Sequence, residues 1–459
     1  MRTLDQILTK KDYSRKTPAS LFYKDSPLWQ KLLTIGCMVF LSVAGLGEWK
    51  YLNNMLGGLP KAVSLGVIGL AVLYTLFYPD EKRLREIWKP TLLYMSLMAA
   101  LFFWSMIIWI KSFSEISSMI RSCSKVLFQS IAILTAVALV YLFREKAIEL
   151  FTICICIING AIMLLCIPGY GIAASIQSLI TCLVTFGDAV GYARQLEIHD
   201  LTFVFGQMIV YYAVFAPHTT QQEKRKRWLY LLLCIWFFLV GMKRSAIPAV
   251  VLFIMVGLLL RKRKLPHWFY PVAGVGCIVF FLVFLYCVRN GIVTALLLRF
   301  DIDMMGRDCL WSLANPYYEF SITYIGRGFE YVDAIVNQWY NEGILNHPYP
   351  FHNDILKVFV EMGFPGFMLW SGIQYVLTPL FWQRYADQQT TLLYMCELGY
   401  MTVTYLTDNT AFYFWSAMAL RLLPLAYAMN RKKPPKPKVW MPDSRQEMRD
   451  RIRILMQEE

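Results

Sequence analysis

The chain has 459 residues, of which 57% are hydrophobic and 17% are charged, and its mean hydropathy is +0.45. Soluble domains are about 45–50% apolar and about 25% charged, so this composition excludes an ordinary soluble enzyme, a disordered chain and a fibrous repeat. The net charge of +14 is typical of membrane proteins with Lys- and Arg-rich cytoplasmic loops, and we do not interpret it as nucleic-acid binding.

The apolar residues form continuous runs, which predicts an all-α polytopic membrane protein rather than a membrane β-barrel. In chain order we predict a basic cytoplasmic segment (1–31), nine transmembrane helices (32–288), a large extracytoplasmic loop (289–350), three further transmembrane helices (351–428) and a basic cytoplasmic tail (429–459). The twelve predicted transmembrane segments are 32–47, 57–78, 91–110, 122–143, 148–167, 198–216, 228–242, 245–260, 267–288, 354–381, 391–407 and 410–428.

The distribution of Lys and Arg sets the predicted orientation. Of the 45 cations, 31 lie in segments predicted to be cytoplasmic and 12 in segments predicted to be extracytoplasmic. This bias places both termini in the cytoplasm. Segment 170–187 is apolar enough to span, but a span there would invert every later loop. We therefore predict that it lies on, or dips into, the outer face.

Several cations depart from this bias. Lys243 and Arg244 occupy a short predicted outer turn, where two adjacent cations call for an anionic partner. Arg307 begins a polar stretch of the large loop, and a local salt bridge to Asp303 or Asp308 is the alternative explanation for it.

Arg327 lies between Gly326 and Gly328, and glycines allow a ligand to approach the backbone closely. Arg289 and Arg299 are explained by ordinary snorkelling at the end of a transmembrane helix. Arginine offers a planar pair of donors that matches two phosphate oxygens. A cationic cluster at this depth therefore favours a diphosphate on a lipid carrier.

A second candidate element precedes the tenth predicted span. Asn353 or Asp354 can cap that helix, and His352 then lies at its positive end, which disfavours the protonated imidazole. A neutral imidazole suits a general base. The alternative is an interfacial His352 that only satisfies a backbone carbonyl, and His347 remains a possible substitute.

These residues resemble the family of O-antigen ligases and O-antigen polymerases, which make bacterial surface polysaccharides. The resemblance covers about residues 240–370, and the match at Gly241–Ser245 is partial, since Lys243 and Ser245 replace the family's Ser and Gly. The motifs that carry it are Gly306-Arg307-Asp308-Cys309-Leu310-Trp311, Gly326-Arg327-Gly328, Phe351-His352-Asn353-Asp354-Ile355-Leu356 and Gly363-Phe364-Pro365-Gly366.

The resemblance implies a glycosyltransferase-C-like helical bundle in the bacterial cytoplasmic membrane, with an outer-face cavity and no metal or other cofactor. It implies an undecaprenyl- or other polyprenyl-diphosphate-linked oligosaccharide as donor, and a flippase and a chain-length regulator of the same pathway as partners. Arg244 and Arg307 would hold the diphosphate and His352 would activate the acceptor. Lys243, Arg327, Asn353, Asp354, Gly326, Gly328 and Trp311 are the predicted substrate-binding residues.

Four functions remain open from the sequence. The favoured function is polymerisation of lipid-linked repeat units into an O-antigen, capsule or exopolysaccharide. The second function is ligation, in which finished glycan is transferred to another acceptor. A lipid-linked sugar transporter would need charges buried at mid-span, for which only Lys357 and Arg421 qualify. A scaffold protein would tolerate loss of His352 and Arg307.

Overall fold

The computed structural model describes residues 28–57, 59–112, 116–185, 189–301, 306–347 and 350–431. These residues form helices joined by turns, and no strand occurs among them, in agreement with the predicted all-α class. Our predictions for the N-terminal segment up to residue 27, for the tail beyond residue 431 and for Asp303 fall outside the described residues.

The N-terminal half is a run of long apolar helices with shorter ones between them. A π-helix, Tyr211–Phe215, extends its last α-helix. The α-helices are α1 (Leu28–Leu46), α2 (Lys50–Leu56), α3 (Leu59–Ala62), α4 (Leu65–Phe77), α5 (Glu81–Ser112), α6 (Ile116–Phe143), α7 (Lys146–Tyr170), α8 (Ile172–Thr185), α9 (Gly191–Gln195) and α10 (His199–Val210).

The C-terminal half alternates long helices with the short helices of the predicted large loop. A 3-10 helix, Asn315–Tyr317, and a second π-helix, Gly372–Leu377, interrupt it. The α-helices are α11 (Gln221–Val240), α12 (Ala246–Leu260), α13 (Phe269–Arg289), α14 (Ile292–Arg299), α15 (Arg307–Ala314), α16 (Tyr331–Asn341), α17 (Asp354–Ser371), α18 (Thr378–Tyr385), α19 (Gln388–Thr407) and α20 (Phe414–Arg431).

Local sequence signals fix several helix starts. Thr220 and Glu223 form a reciprocal capping box at the start of α11, in which each side chain accepts from the other residue's backbone N–H. Asp387 accepts from the backbone N–H of Thr390 at 2.7 Å and caps α19.

Part of the predicted topology is confirmed by helix length and composition. Six helical segments among the described residues are long and apolar enough to cross a membrane, and they coincide with the first five and the ninth predicted spans. The other six predicted spans also fall on helices, but these are shorter or more polar, so the total of twelve stays a prediction.

Segment 170–187 contains α8, which has 14 residues. At 1.5 Å per residue such a helix is about 21 Å long, shorter than a hydrocarbon core of about 30 Å. Its apolar side chains Ile172, Ile176, Ile180 and Val184 are exposed. These dimensions agree with a helix that lies on or dips into one face.

The bundle has a buried centre and an apolar exterior. Helix α6 packs against α20, α12 against α19, and α10 against both α11 and α20. Asp200, near the start of α10, accepts from the backbone N–H groups of Trp415 and Ser416 at 2.8 and 2.9 Å, which ties α10 to the start of α20. By contrast, most apolar side chains of α1 and α4 are at least partly exposed. A chain that exposes long apolar helices is a membrane protein.

Candidate functional site

The start of α17 is fastened to the turn between α19 and α20. Asn353 is the helix cap, because its Oδ1 accepts from the backbone N–H of Leu356 at 3.0 Å. Asp354 has a different role, since its Oδ2 accepts from the backbone N–H of Ala411 at 2.6 Å. Both side chains are buried, so the two residues position the segment before α17 rather than face solvent.

His352 is held in an unusual backbone conformation directly before this cap. Its φ is +52°, in the left-handed region that residues other than glycine seldom adopt. Its backbone N–H donates to the side-chain oxygen of Asn409 at 2.8 Å. The imidazole Nδ1 lies 3.4 Å from Oδ1 of Asp408. Since Nδ1 faces Asp408, Nε2 is the nitrogen left for a substrate.

Asp408 connects His352 to a second set of charged residues. Its other oxygen, Oδ2, lies 3.9 Å from Nζ of Lys243. Lys243 in turn contacts Oε1 of Glu197 at 2.9 Å, and Nε2 of His199 lies 3.8 Å from the same oxygen. We call these five residues, Glu197, His199, Lys243, His352 and Asp408, the His352 cluster.

The electrostatics of the cluster keep Asp408 ionised. Burial alone would raise the pKa of the Asp408 carboxyl, but the His352 imidazole and the Lys243 ammonium hold it well below its usual range. Only 5% of the Asp408 side chain is exposed. The carboxylate therefore provides a fixed negative charge beside the imidazole. Glu197 and Asp408 are the anionic groups beside Lys243 in the turn for which the sequence calls for an anionic partner.

The two arginines predicted to hold a diphosphate lie on different elements. Arg244 follows Lys243 directly, and its side chain is exposed. Arg307 is the first residue of α15 and is half-buried. Within the described ranges Arg307 forms no ion pair with Asp308, the local alternative, and none with the His352 cluster.

Gly326 and Gly328 serve backbone packing against a kink in α17. Both have positive φ, +97° and +98°. A Cβ on Gly326 would lie 2.4 Å from the carbonyl oxygen of Glu361, and one on Gly328 would lie 2.3 Å from Nε1 of Trp109. Helix α17 is itself broken at Gly363, whose φ is +64°. The close approach that the glycines permit is thus to the protein's own helices.

Arg327 lines a hollow between this segment and the end of α5. The cavity has a volume of about 380 Å³, and its lining includes Lys111, Tyr318, Glu319 and Tyr324. The Nε of Arg327 donates to the carbonyl oxygen of Tyr317 at 2.9 Å, and its side chain is exposed. A cavity with two cations, a carboxylate and tyrosine rings has the chemical groups that bind a phosphorylated sugar.

Most aromatic side chains of the predicted large loop serve packing. Trp311 is buried, with 6% of its surface exposed. The ring of Tyr317 lies 5.8 Å from that of Trp339. The guanidinium of Arg289 lies 5.0 Å from the ring centre of Tyr318 and donates to a backbone carbonyl. Arg289 is therefore bound within the protein, in contrast to the snorkelling that the sequence suggested.

Lys357, one of the two predicted mid-span cations, belongs to a buried ion network. Its Nζ lies 2.7 Å from Asp333 and 3.6 Å from Glu330, and Glu330 also contacts Lys125 at 3.6 Å. Although burial alone would raise the pKa of Asp333, the Lys357 ammonium lowers it below its usual range. The network fastens α16 to α17, so Lys357 has a structural function there.

Comparison with known proteins now adds the family. Residues 229–371 match the family model described as O-antigen ligase. This part of the chain is similar to the O-antigen ligase family. The resemblance to O-antigen ligases and polymerases is thereby confirmed over these residues. No curated protein matches the chain.

The region that matches the O-antigen ligase family contains only part of the site. Lys243, Arg307 and His352 lie inside the matched residues, whereas Glu197, His199 and Asp408 lie outside them. The residues that complete the His352 cluster therefore come from both sides of the matched region, namely from the start of α10 and the residues just before it, and from the turn after α19.

The sequence reasoning missed Asp408, Asn409, Glu197 and His199. One signal for the turn was available: Asp408 and Asn409 are two polar residues between two apolar runs, in a gap predicted to hold only residues 408 and 409. Nothing in the sequence pairs that gap with His352, which is more than fifty residues away.

Proposed function

We propose that the protein is a membrane glycosyltransferase that polymerises polyprenyl-diphosphate-linked oligosaccharides into a cell-surface polysaccharide. The observation that carries this proposal is the placement of the His352 imidazole 3.4 Å from the buried carboxylate of Asp408, with His352 in the region that matches the O-antigen ligase family. A histidine whose Nδ1 faces a fixed carboxylate is suited to take a proton at Nε2.

In this mechanism His352 removes the proton from an acceptor sugar hydroxyl, and the hydroxyl oxygen attacks the anomeric carbon of the donor. The bond between that carbon and the diphosphate oxygen breaks, and polyprenyl diphosphate leaves with the electron pair. Asp408 stabilises the imidazolium that forms. A single displacement of this kind inverts the anomeric configuration.

Arg244 and Arg307 would stabilise the negative charge that develops on the diphosphate, and Arg327 would assist from the hollow beside Lys111. Lys243 already contacts Glu197 and Asp408. These contacts favour a role for Lys243 in positioning Asp408 over direct binding of phosphate. Asn353 and Asp354 support the reaction by holding the segment that carries His352.

The site would face the extracytoplasmic side of a bacterial cytoplasmic membrane, with both termini in the cytoplasm, and a flippase would deliver the donor there. The positive-inside distribution supports this orientation, because 31 of the 45 cations lie in segments predicted to be cytoplasmic. The Lys243–Arg244 turn and Arg307 are exceptions on the predicted outer side, where the proposed site would use them.

A second candidate function is ligation, the transfer of a finished glycan to another acceptor. It is favoured by the description of the matched family as O-antigen ligase. A transporter is disfavoured, since Lys357 is engaged by Glu330 and Asp333 rather than lining a path.

The test uses purified protein in lipid nanodiscs with the lipid-linked repeat unit of its own host, and products are sized on a gel. We expect a ladder from the wild type and none from His352→Ala, while His218→Ala, a matched change on the predicted cytoplasmic side, retains the ladder. A single shifted band that needs a second acceptor would indicate ligation. Unchanged donor with the wild-type protein, or full activity of His352→Ala, would refute the proposal.

A further inference from the structure

Helix α14 has an apolar face that the protein does not cover. Its eight residues are Ile292–Arg299, and none of them is buried. Ile292, Leu296 and Leu298 are 47%, 54% and 67% exposed, and Phe300, which follows the helix, is 67% exposed. The helix thus directs large apolar side chains away from the bundle.

The pattern is the reverse of that of a helix on a water-soluble surface. Thr294, the only uncharged polar residue of α14, is among the less exposed positions, together with Val293 and Leu297. The fully exposed side chains other than the terminal Arg299 are apolar. Helices that are apolar on nearly all sides are normally buried, so something outside the described chain must cover this one.

The continuity of α14 with a candidate membrane span indicates what covers its exposed apolar side chains. Helix α13 is long and apolar enough to cross a membrane, and it ends at Arg289. Only Asn290 and Gly291 separate the two helices, and the +71° φ of Gly291 turns the chain sharply. The exposed apolar surface of α13, including Val283 and Tyr286, runs to this turn. The lipid that surrounds a membrane-spanning α13 would therefore also reach α14.

The size of the face argues against a second copy of the protein as the cover. A stable dimer buries about 800 Å² and roughly 20–30 residues on each partner. The exposed apolar face of α14 and the adjoining residue has four large side chains. The helix is about 12 Å long, too short to cross a bilayer of about 30 Å but long enough to enter one leaflet.

We propose that α14 is a half-helix inserted in the hydrocarbon of the leaflet at that end of α13, with Ile292, Leu296, Leu298 and Phe300 in contact with acyl chains. Exposed Arg299 at its end reaches the lipid phosphates. The insertion sets the depth at which the chain continues to Arg307. This inference does not depend on the proposed glycan transfer.

The test places the photoreactive amino acid p-benzoylphenylalanine at Leu298 or at Phe300 in the full chain. The protein is held in nanodiscs of phosphatidylethanolamine and phosphatidylglycerol, irradiated, and its adducts are identified by mass spectrometry. Asn337, an exposed residue of α16, is the matched control position. We expect at least tenfold more acyl-chain adduct at residues 298 and 300 than at 337.

A second variant allows the proposal to be tested even if one probe position lowers expression. Leu296→Asp combined with the probe at Phe300 should reduce the lipid adduct at least fivefold, because a carboxylate is expelled from hydrocarbon. Cross-linked dimers without lipid adduct would assign the face to a second copy and overturn the proposal. Equal lipid adduct at 300 and 337 would also overturn it. Neither readout uses activity, so failure here is separate from failure of the proposed function.

Discussion

Replacement of Asp408 by Asn tests the central contact of the site. The carboxylate lies 3.4 Å from Nδ1 of His352, and at an effective dielectric constant of about 20 two unit charges at that distance attract by about 5 kcal/mol. Lys243, at 3.9 Å, already offsets part of the negative charge. We expect a loss of about 3–4 kcal/mol of transition-state stabilisation, which lowers kcat roughly 10²–10³-fold.

The assay is the initial rate of glycan transfer from the lipid-linked repeat unit, measured over a range of donor concentrations. Because Asp408 acts on the imidazolium and not on the bound donor, the loss should appear in kcat, with KM changed by less than about twofold. Asp408→Glu should recover part of the rate, since it restores the charge with altered geometry.

Asp387→Asn is the matched control, because Asp387 caps α19 by accepting from Thr390 and Asn caps a helix about equally well. It should retain near wild-type kcat. If Asp408→Asn keeps more than half of the wild-type kcat at a temperature where it is folded, the carboxylate has no part in the reaction and the reasoning fails.

Further predictions concern stability and are measured by thermal unfolding in detergent. Gly326→Ala should lower the free energy of unfolding by roughly 3 kcal/mol or more, because the new Cβ would meet a backbone oxygen in addition to the backbone strain. Gly306→Ala should lower it by only about 1–2 kcal/mol, because Gly306 has a φ of +79° but open space around it. Asn353→Ala removes the cap of α17 and should cost about 1 kcal/mol; an unchanged melting temperature would contradict that assignment. Lys357→Met leaves Asp333 without its cation and leaves buried Glu330 with Lys125 alone, and it should lower the free energy of unfolding by about 2–3 kcal/mol. The pKa of Asp408 is lowered in the folded protein, so its carboxylate stabilises the fold at pH values above the pKa of an unfolded Asp, which is about 3.9. The melting temperatures of the wild type and Asp408→Asn should therefore converge as the pH falls below about 3.9.

The apolar runs predicted the helices well because hydropathy is a local property. The six candidate membrane spans among the described residues all fall on predicted ones. Helices α17 and α19 also fall on predicted spans, but they do not meet the criterion of length and composition because they carry polar side chains inside the bundle. Glu361 of α17, for example, accepts from the backbone N–H of Val332, and local hydropathy cannot identify such a distant partner.

The candidate site was predictable in part. His352 and Lys243 were identified by their position and their charge, and the structure places them about one carboxylate, that of Asp408. The carboxylate itself was missed because its partners are distant in sequence and meet only through the packing of α17, α19 and α20. Gly326 and Gly328 show the opposite error in emphasis. Their spacing suggested room for a ligand, and the structure places Glu361 and Trp109 where their side chains would be, although Gly326 also lines the hollow beside Arg327.

The turn between α19 and α20 supplies both Asp408 and the backbone that Asp354 holds. Every other residue of the His352 cluster precedes Asp408 in the chain, so translation of this turn completes the set. Until the turn docks, the segment that bears His352 lacks both the carboxylate beside its imidazole and the backbone partner of Asp354. Completion of the cluster is therefore coupled to the docking of the turn onto the start of α17.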